Sequence, residues 1–92
     1  MSSREKHIWL VNVNTFESNW RNDPRLHLLH PCDVAEIGRK FENLKRTIFN
    51  ERYSKKNQES YHVMWNNIVT LVNKGNERMD LICSILIDLL ED

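Results

Sequence analysis

An all-α fold, built as a compact bundle of about five helices, is predicted by three features of the sequence. Apolar residues recur at steps of three and four along most of the chain, which is the period of a helix with one buried face. Only two glycines and two prolines punctuate 92 residues, so the elements must be few and long. No long stretch alternates apolar and polar residues in the manner of a half-buried strand.

The first helix is expected over residues 4–20. Ser2, with Glu5 three residues on, reads as a capping box, and Trp9, Val13, Phe16 and Trp20 follow at steps of four, three and four. The segment has a second reading, because Trp9, Val11 and Val13 also alternate with Leu10, Asn12 and Asn14 as a short strand would. Asp23 before Pro24 is the start of a short second helix, Pro24 to His30, with Asp23 accepting from free first-turn amides. Pro31 ends it, since the residue before a proline avoids the helical region.

Asp33, with Glu36, caps the third helix, whose apolar face is Val34, Ile37, Phe41, Leu44 and Ile48. Arg39, Asn43, Arg46 and Asn50 fall on the opposite, solvent side. Glu51 to Asn57 is charged and unpatterned, and is read as a loop. Tyr61, Met64, Trp65, Ile68, Leu71 and Val72 mark a fourth helix that Gly75 terminates in a left-handed conformation. Asn76 then caps a fifth. From Met79 to Leu90 apolar residues cover most of the circumference, as expected of a central helix surrounded by the others. Its acidic end, Asp88, Glu91 and Asp92, opposes the macrodipole and lacks a cap, which predicts that residues 1–92 are the N-terminal domain of a longer protein.

A chain of this size buries about 60–70% of its unfolded surface, enough for one domain and one core. Apolar residues at 40% and charged residues at 28% describe a folded, water-facing molecule. The Met1 to Lys6 start has no signal-peptide core, and Leu81–Leu90, broken by Ser84 and Asp88, is about half a bilayer span. No membrane role is expected. Cys32 and Cys83 are too few and too far apart for a disulfide framework, so a reducing, intracellular location is predicted.

Catalytic patterns are missing. Gly38 and Gly75 stand alone in helical surroundings and cradle no phosphate, and neither cysteine has a demonstrable orienting partner. His27, His30 and Cys32 have the spacing of a partial zinc site, with His62 or Asp33 as a fourth ligand. The plainer reading takes them as surface histidines and a small buried thiol. No enzyme activity, small-molecule substrate, cofactor or metal is therefore expected.

Charge sums to zero but is divided. Arg39, Lys40, Lys45, Arg46, Arg52, Lys55 and Lys56 outweigh Glu42 and Glu51 between residues 39 and 56, whereas Glu77, Asp80, Asp88, Glu91 and Asp92 outweigh Arg78 thereafter. Opposed faces of this kind suit a head-to-tail contact between copies. The predicted partner-binding residues are Arg39, Lys40, Lys45 and Arg46 against Glu77, Asp80 and Asp88, with Trp20 as an exposed aromatic anchor at the end of its helix.

The run Leu71-Val72-Asn73-Lys74-Gly75-Asn76-Glu77-Arg78-Met79-Asp80-Leu81-Ile82-Cys83-Ser84-Ile85-Leu86 resembles the fourth-to-fifth helix junction of caspase recruitment domains. Arg78-Met79-Asp80-Leu81 also resembles the R-x-D-L motif of death-effector domains. The resemblance covers about sixteen residues. It implies a death-fold-like bundle of six helices and homotypic association in innate-immune or cell-death signalling, without catalysis. The chain departs from that pattern in its long third helix and in having no room for a sixth. The expected function is thus a helical protein-interaction module, adaptor or scaffold, that assembles with itself or with other proteins. The alternative is a nucleic-acid-binding module using the basic third helix with Trp20 or Tyr53. A docking groove for a partner peptide is a third reading.

Overall fold

The computed structural model describes residues 2–91, in which every regular element is helical. Three α-helices form, α1 (Ser2–Arg21), α2 (Pro31–Asn50) and α3 (Lys55–Glu91), with a single 3-10 turn, Leu26–Leu28, between the first two. The expectation of an all-α chain holds, and the expectation of about five helices does not.

Two things lower the number. The predicted second helix shrinks to the 3-10 turn: Asp23 does accept the backbone N–H of Arg25 at 2.9 Å, but Pro31, expected to end that helix, instead opens α2 as its first residue. The His30 ring, not Asp33, caps α2 by accepting the Cys32 amide at 3.0 Å. The larger change is at Gly75. No glycine among the described residues has a positive φ, so Gly75 is not the left-handed terminator that was expected, and the fourth and fifth helices are one uninterrupted rod of 37 residues. A methyl group on Gly75 would sit 3.2 Å from the Leu29 side chain. Leu29, just after the 3-10 turn, thus packs closely against α3 at this glycine.

The capping-box reading of Ser2 lies outside the described residues as far as its side chain is concerned. Trp9 to Asn14 are helical within α1, which settles the strand alternative for that segment. At the other end of α2, the Lys6 ammonium donates to the carbonyls of Phe49 and Glu51 at 2.9 and 2.8 Å, filling acceptors that a helix end leaves free. Ser54 then caps α3 from the position before it, its hydroxyl accepting the Asn57 amide at 3.1 Å, so the loop is shorter than expected.

The core lies between the three helices. Val13 and Trp20 from α1, Ile37, Phe41, Leu44 and Ile48 from α2, and Tyr61, Ile68 and Val72 from α3 are buried together. Aromatic edges stitch α1 to α3: Phe16 meets Trp65 at 4.9 Å between ring centres and Trp9 meets Tyr61 at 5.7 Å, both T-shaped. The apolar face predicted for the third helix is the buried face of α2, with Phe41 fully enclosed. Tyr61 Oη is buried with no hydrogen-bond partner among the described residues, and burial raises its pKa above the usual tyrosine value.

The molecule measures 59 × 17 × 17 Å, because α3 at roughly 55 Å outruns its partners. The bundle closes at Met79, which is fully buried. Leu81 still lines a cavity with Leu29, Asp33 and Ile37, and Ile82 and Cys83 are half-buried; from Ser84 on, α3 projects with every described residue exposed. The segment expected to be the buried central helix is the most exposed apolar stretch of the structure: Leu86 is 47% exposed, Leu89 67% and Leu90 85%, with Leu81, Ile85 and Ile87 at least half exposed. Apolar residues all around a helix are equally the mark of one enclosed by its own chain and of one whose cover comes from elsewhere.

Candidate functional site

Two surfaces carry the residues singled out from the sequence. The first is the outward side of α2. Arg39, Asn43, Arg46 and Asn50 are exposed there as expected, and Lys40 is half-buried. Arg39 and Arg46 make no ion pair among the described residues. Between them and the 3-10 turn runs a groove of about 910 Å³. Its lining is largely apolar, from Leu26, Leu29, Pro31, Val34 and Ala35, together with Arg39, Arg46 and the carboxylate of Glu42; the Arg21 guanidinium also lines it and lies against Gly38.

Lys45 does not belong to that exposed set. Its ammonium bonds Glu17 at 2.6 Å and Glu42 at 2.8 Å, tying α2 to α1. Glu17 is almost completely buried and also accepts from Arg21 Nε at 2.9 Å. Burial pulls the Lys45 pKa down, but the hydrogen bonds that its ammonium donates to Glu17 and Glu42 outweigh it and hold it above the usual lysine value. Hydrogen bonding to Lys45 in turn holds Glu42 below the ordinary carboxylate range. Lys45 is therefore a structural tie.

Trp20 is likewise not the exposed anchor that its place at the helix end suggested. It is 6% exposed, packs on Phe41 at 5.4 Å, and is covered by the Arg21 guanidinium at 5.3 Å. A terminal position on a helix says nothing of exposure when the next element folds over it.

The second surface is the free end of α3. Asp88 is exposed on it, and Asp80 and Glu77 are exposed on the turns of α3 that lead up to it, Glu77 still beside α2. Asp80 is taken up by Arg25 of the 3-10 turn, which leaves Glu77, Asp88 and Glu91 without ion pairs among the described residues. Arg25 also grips Asp23 at 3.1 Å; hydrogen bonds from the Arg25 side chain and amide hold Asp23 below its ordinary pKa. The acidic and basic sets thus sit on separate parts of the molecule, and within one copy they do not meet.

What sequence reasoning missed is the exposed apolar row itself. Tyr61, Trp65, Ile68, Val72, Gly75, Met79, Ile82, Leu86 and Leu89 follow one another at alternating steps of four and three, a single coiled-coil-like seam. Tyr61 to Met79 is covered by the rest of the chain, whereas Leu86 and Leu89 are not. The seam was legible in the sequence; where its cover stops was not.

The zinc candidates are engaged with the backbone. His30 accepts from the Cys32 amide, and the His27 ring lies 2.7 Å from the Pro24 carbonyl, to which Nδ1 donates. No group of three metal-ligating side chains is gathered among the described residues. Both cysteines are free thiols. No helix among the described residues is long and apolar enough to cross a membrane. Comparison with family models, with curated proteins and with solved structures gives no match for this chain.

Proposed function

We propose that this chain is a non-enzymatic protein-interaction module that assembles through the projecting end of α3. The supporting observation is the row of large apolar side chains Ile85, Leu86, Ile87, Leu89 and Leu90, held in water on a helix end that the rest of the chain leaves uncovered. Contiguous apolar surface of that kind marks an interface, and its removal from water is the driving force for association. The seam supplies the geometry, since its covered part already packs helix against helix and its uncovered part has the same spacing.

The test is the mass in solution as a function of concentration, for the natural chain and for L86D/L89D. Both side chains are exposed, so the fold does not depend on them. The natural chain is expected to exceed the mass of one copy and to grow with concentration, while the variant stays monomeric. One unchanging monomer mass for both chains would refute the reading.

A second reading rests on the exposed row Arg39, Asn43, Arg46 and Asn50 along α2. Arginine and asparagine are the side chains that pair with base edges in a major groove. Retention of duplex DNA or RNA in filter binding, falling steeply with added salt and lost in R39E/R46E, would support it. No retention at low salt would remove it.

A further inference from the structure

We infer that the groove between the 3-10 turn and the outward face of α2 receives the projecting end of α3 from a second copy of this chain. The inference rests on the proposed function and names the surface that completes it.

The two surfaces are matched in polarity and in charge. On a wheel of about 100° per residue, Leu81, Ile85, Leu89, Ile82, Leu86 and Leu90 through to Ile87 form one apolar arc of roughly 240°. Asp88 borders that arc beside Leu81, and Glu91 lies on the narrow polar side behind it. A helix with so wide an apolar arc is suited to a trough that covers its flanks more than to a flat face. The groove is such a trough: at about 910 Å³ it admits several leucine-sized side chains, its lining is largely apolar, and Arg39 and Arg46 line it without ion-pair partners among the described residues. Their guanidinium groups can fold over a seated helix toward Asp88 and Glu91.

The same chain cannot fill its own groove. The helix runs unbroken from Lys55 to Glu91, and its end is carried away from α2 along the 59 Å axis. The donor must be another copy. Because groove and helix end are different surfaces, the contact is heterologous: each copy offers one of each, and the assembly grows as a ring or a filament instead of stopping at a two-fold pair.

Mixing two defective variants tests this directly. R39E/R46E spoils the groove and L86D/L89D spoils the helix end; all four positions are exposed, and unchanged far-UV circular dichroism verifies the fold. Each variant alone should weaken self-association by about tenfold or more at low salt. Mixed in equal amounts, they retain one intact groove and one intact helix end, and should form a 1:1 heterodimer that grows no further. If R39E/R46E keeps the natural assembly, or if the mixture stays monomeric, the groove is not the receiving surface, while the proposed function survives on the behaviour of the natural chain. A natural chain that is monomeric at every concentration removes both.

Discussion

Glu17 is a carboxylate taken out of water one turn before the C-terminal end of α1, a costly placement. It is tolerated because Arg21, one turn on, and Lys45, across on α2, each donate to it, and removing one partner of such a group exposes the unmet desolvation penalty. Lys45→Met should therefore lower unfolding free energy by about 2 kcal/mol. Adding Glu17→Leu to it should recover most of that loss, because two apolar groups replace a buried pair at little cost. Chemical denaturation of the four members of the cycle checks it, and equal losses in both single variants and the double would contradict it. The same contacts set the pH response. Asp23 and Glu42 are held below their ordinary pKa values by Arg25 and Lys45, so their stabilisation is full above about pH 5 and fades as pH falls through the lowered values. Lys45 is held above its ordinary value, so its share is full below about pH 10 and fades as pH rises further. Thermal melts should be flat between those limits and fall on both sides.

At the scale of the element, the two faces of α2 were readable because its period is clean: Ile37, Phe41, Leu44 and Ile48 are buried and Arg39, Asn43, Arg46 and Asn50 face water. The length of α3 was not readable. A lone glycine after lysine has the composition of a helix terminator, and what separates that from a glycine kept small for packing is the approach of Leu29, a contact 46 positions away in sequence. Trp20 was misplaced for the same reason, since Phe41 and not the local sequence decides its burial. The ion ties Lys45–Glu17 and Arg25–Asp80 likewise join residues that no helical spacing connects. Gly75→Ala separates the two readings of that glycine. In a left-handed terminator the substitution would be strained and costly; in a continuous helix it gains about 0.5–1 kcal/mol of propensity, less a shift of a few tenths of an ångström in the Leu29 methyl group. A small rise in melting temperature is expected, and a fall of several degrees would contradict an unbroken α3.

For the whole molecule, the departure from a globule is set by one element. A compact chain of this length has a radius of gyration near about 12 Å, against 16.3 Å here. Small-angle scattering of the monomeric L86D/L89D variant should return the larger value, since the extension comes from α3 and not from assembly. Charge separation belongs to this scale too. The basic and acidic sets were legible in the sequence as blocks, but that Arg39 and Arg46 line a groove while Asp88 sits on a free helix end follows only from where the bundle closes.

The turns of α3 beyond Cys83 have little besides their own propensity to keep them wound, and a short helix without tertiary support is marginal in water. Their backbone amides should accordingly trade protons for deuterons within the first moments of exposure to heavy water, while those between Tyr61 and Met79 hold out far longer. Docking would then slow exchange selectively over Ile85–Leu90, giving an isotopic footprint of the contact that needs no mutation.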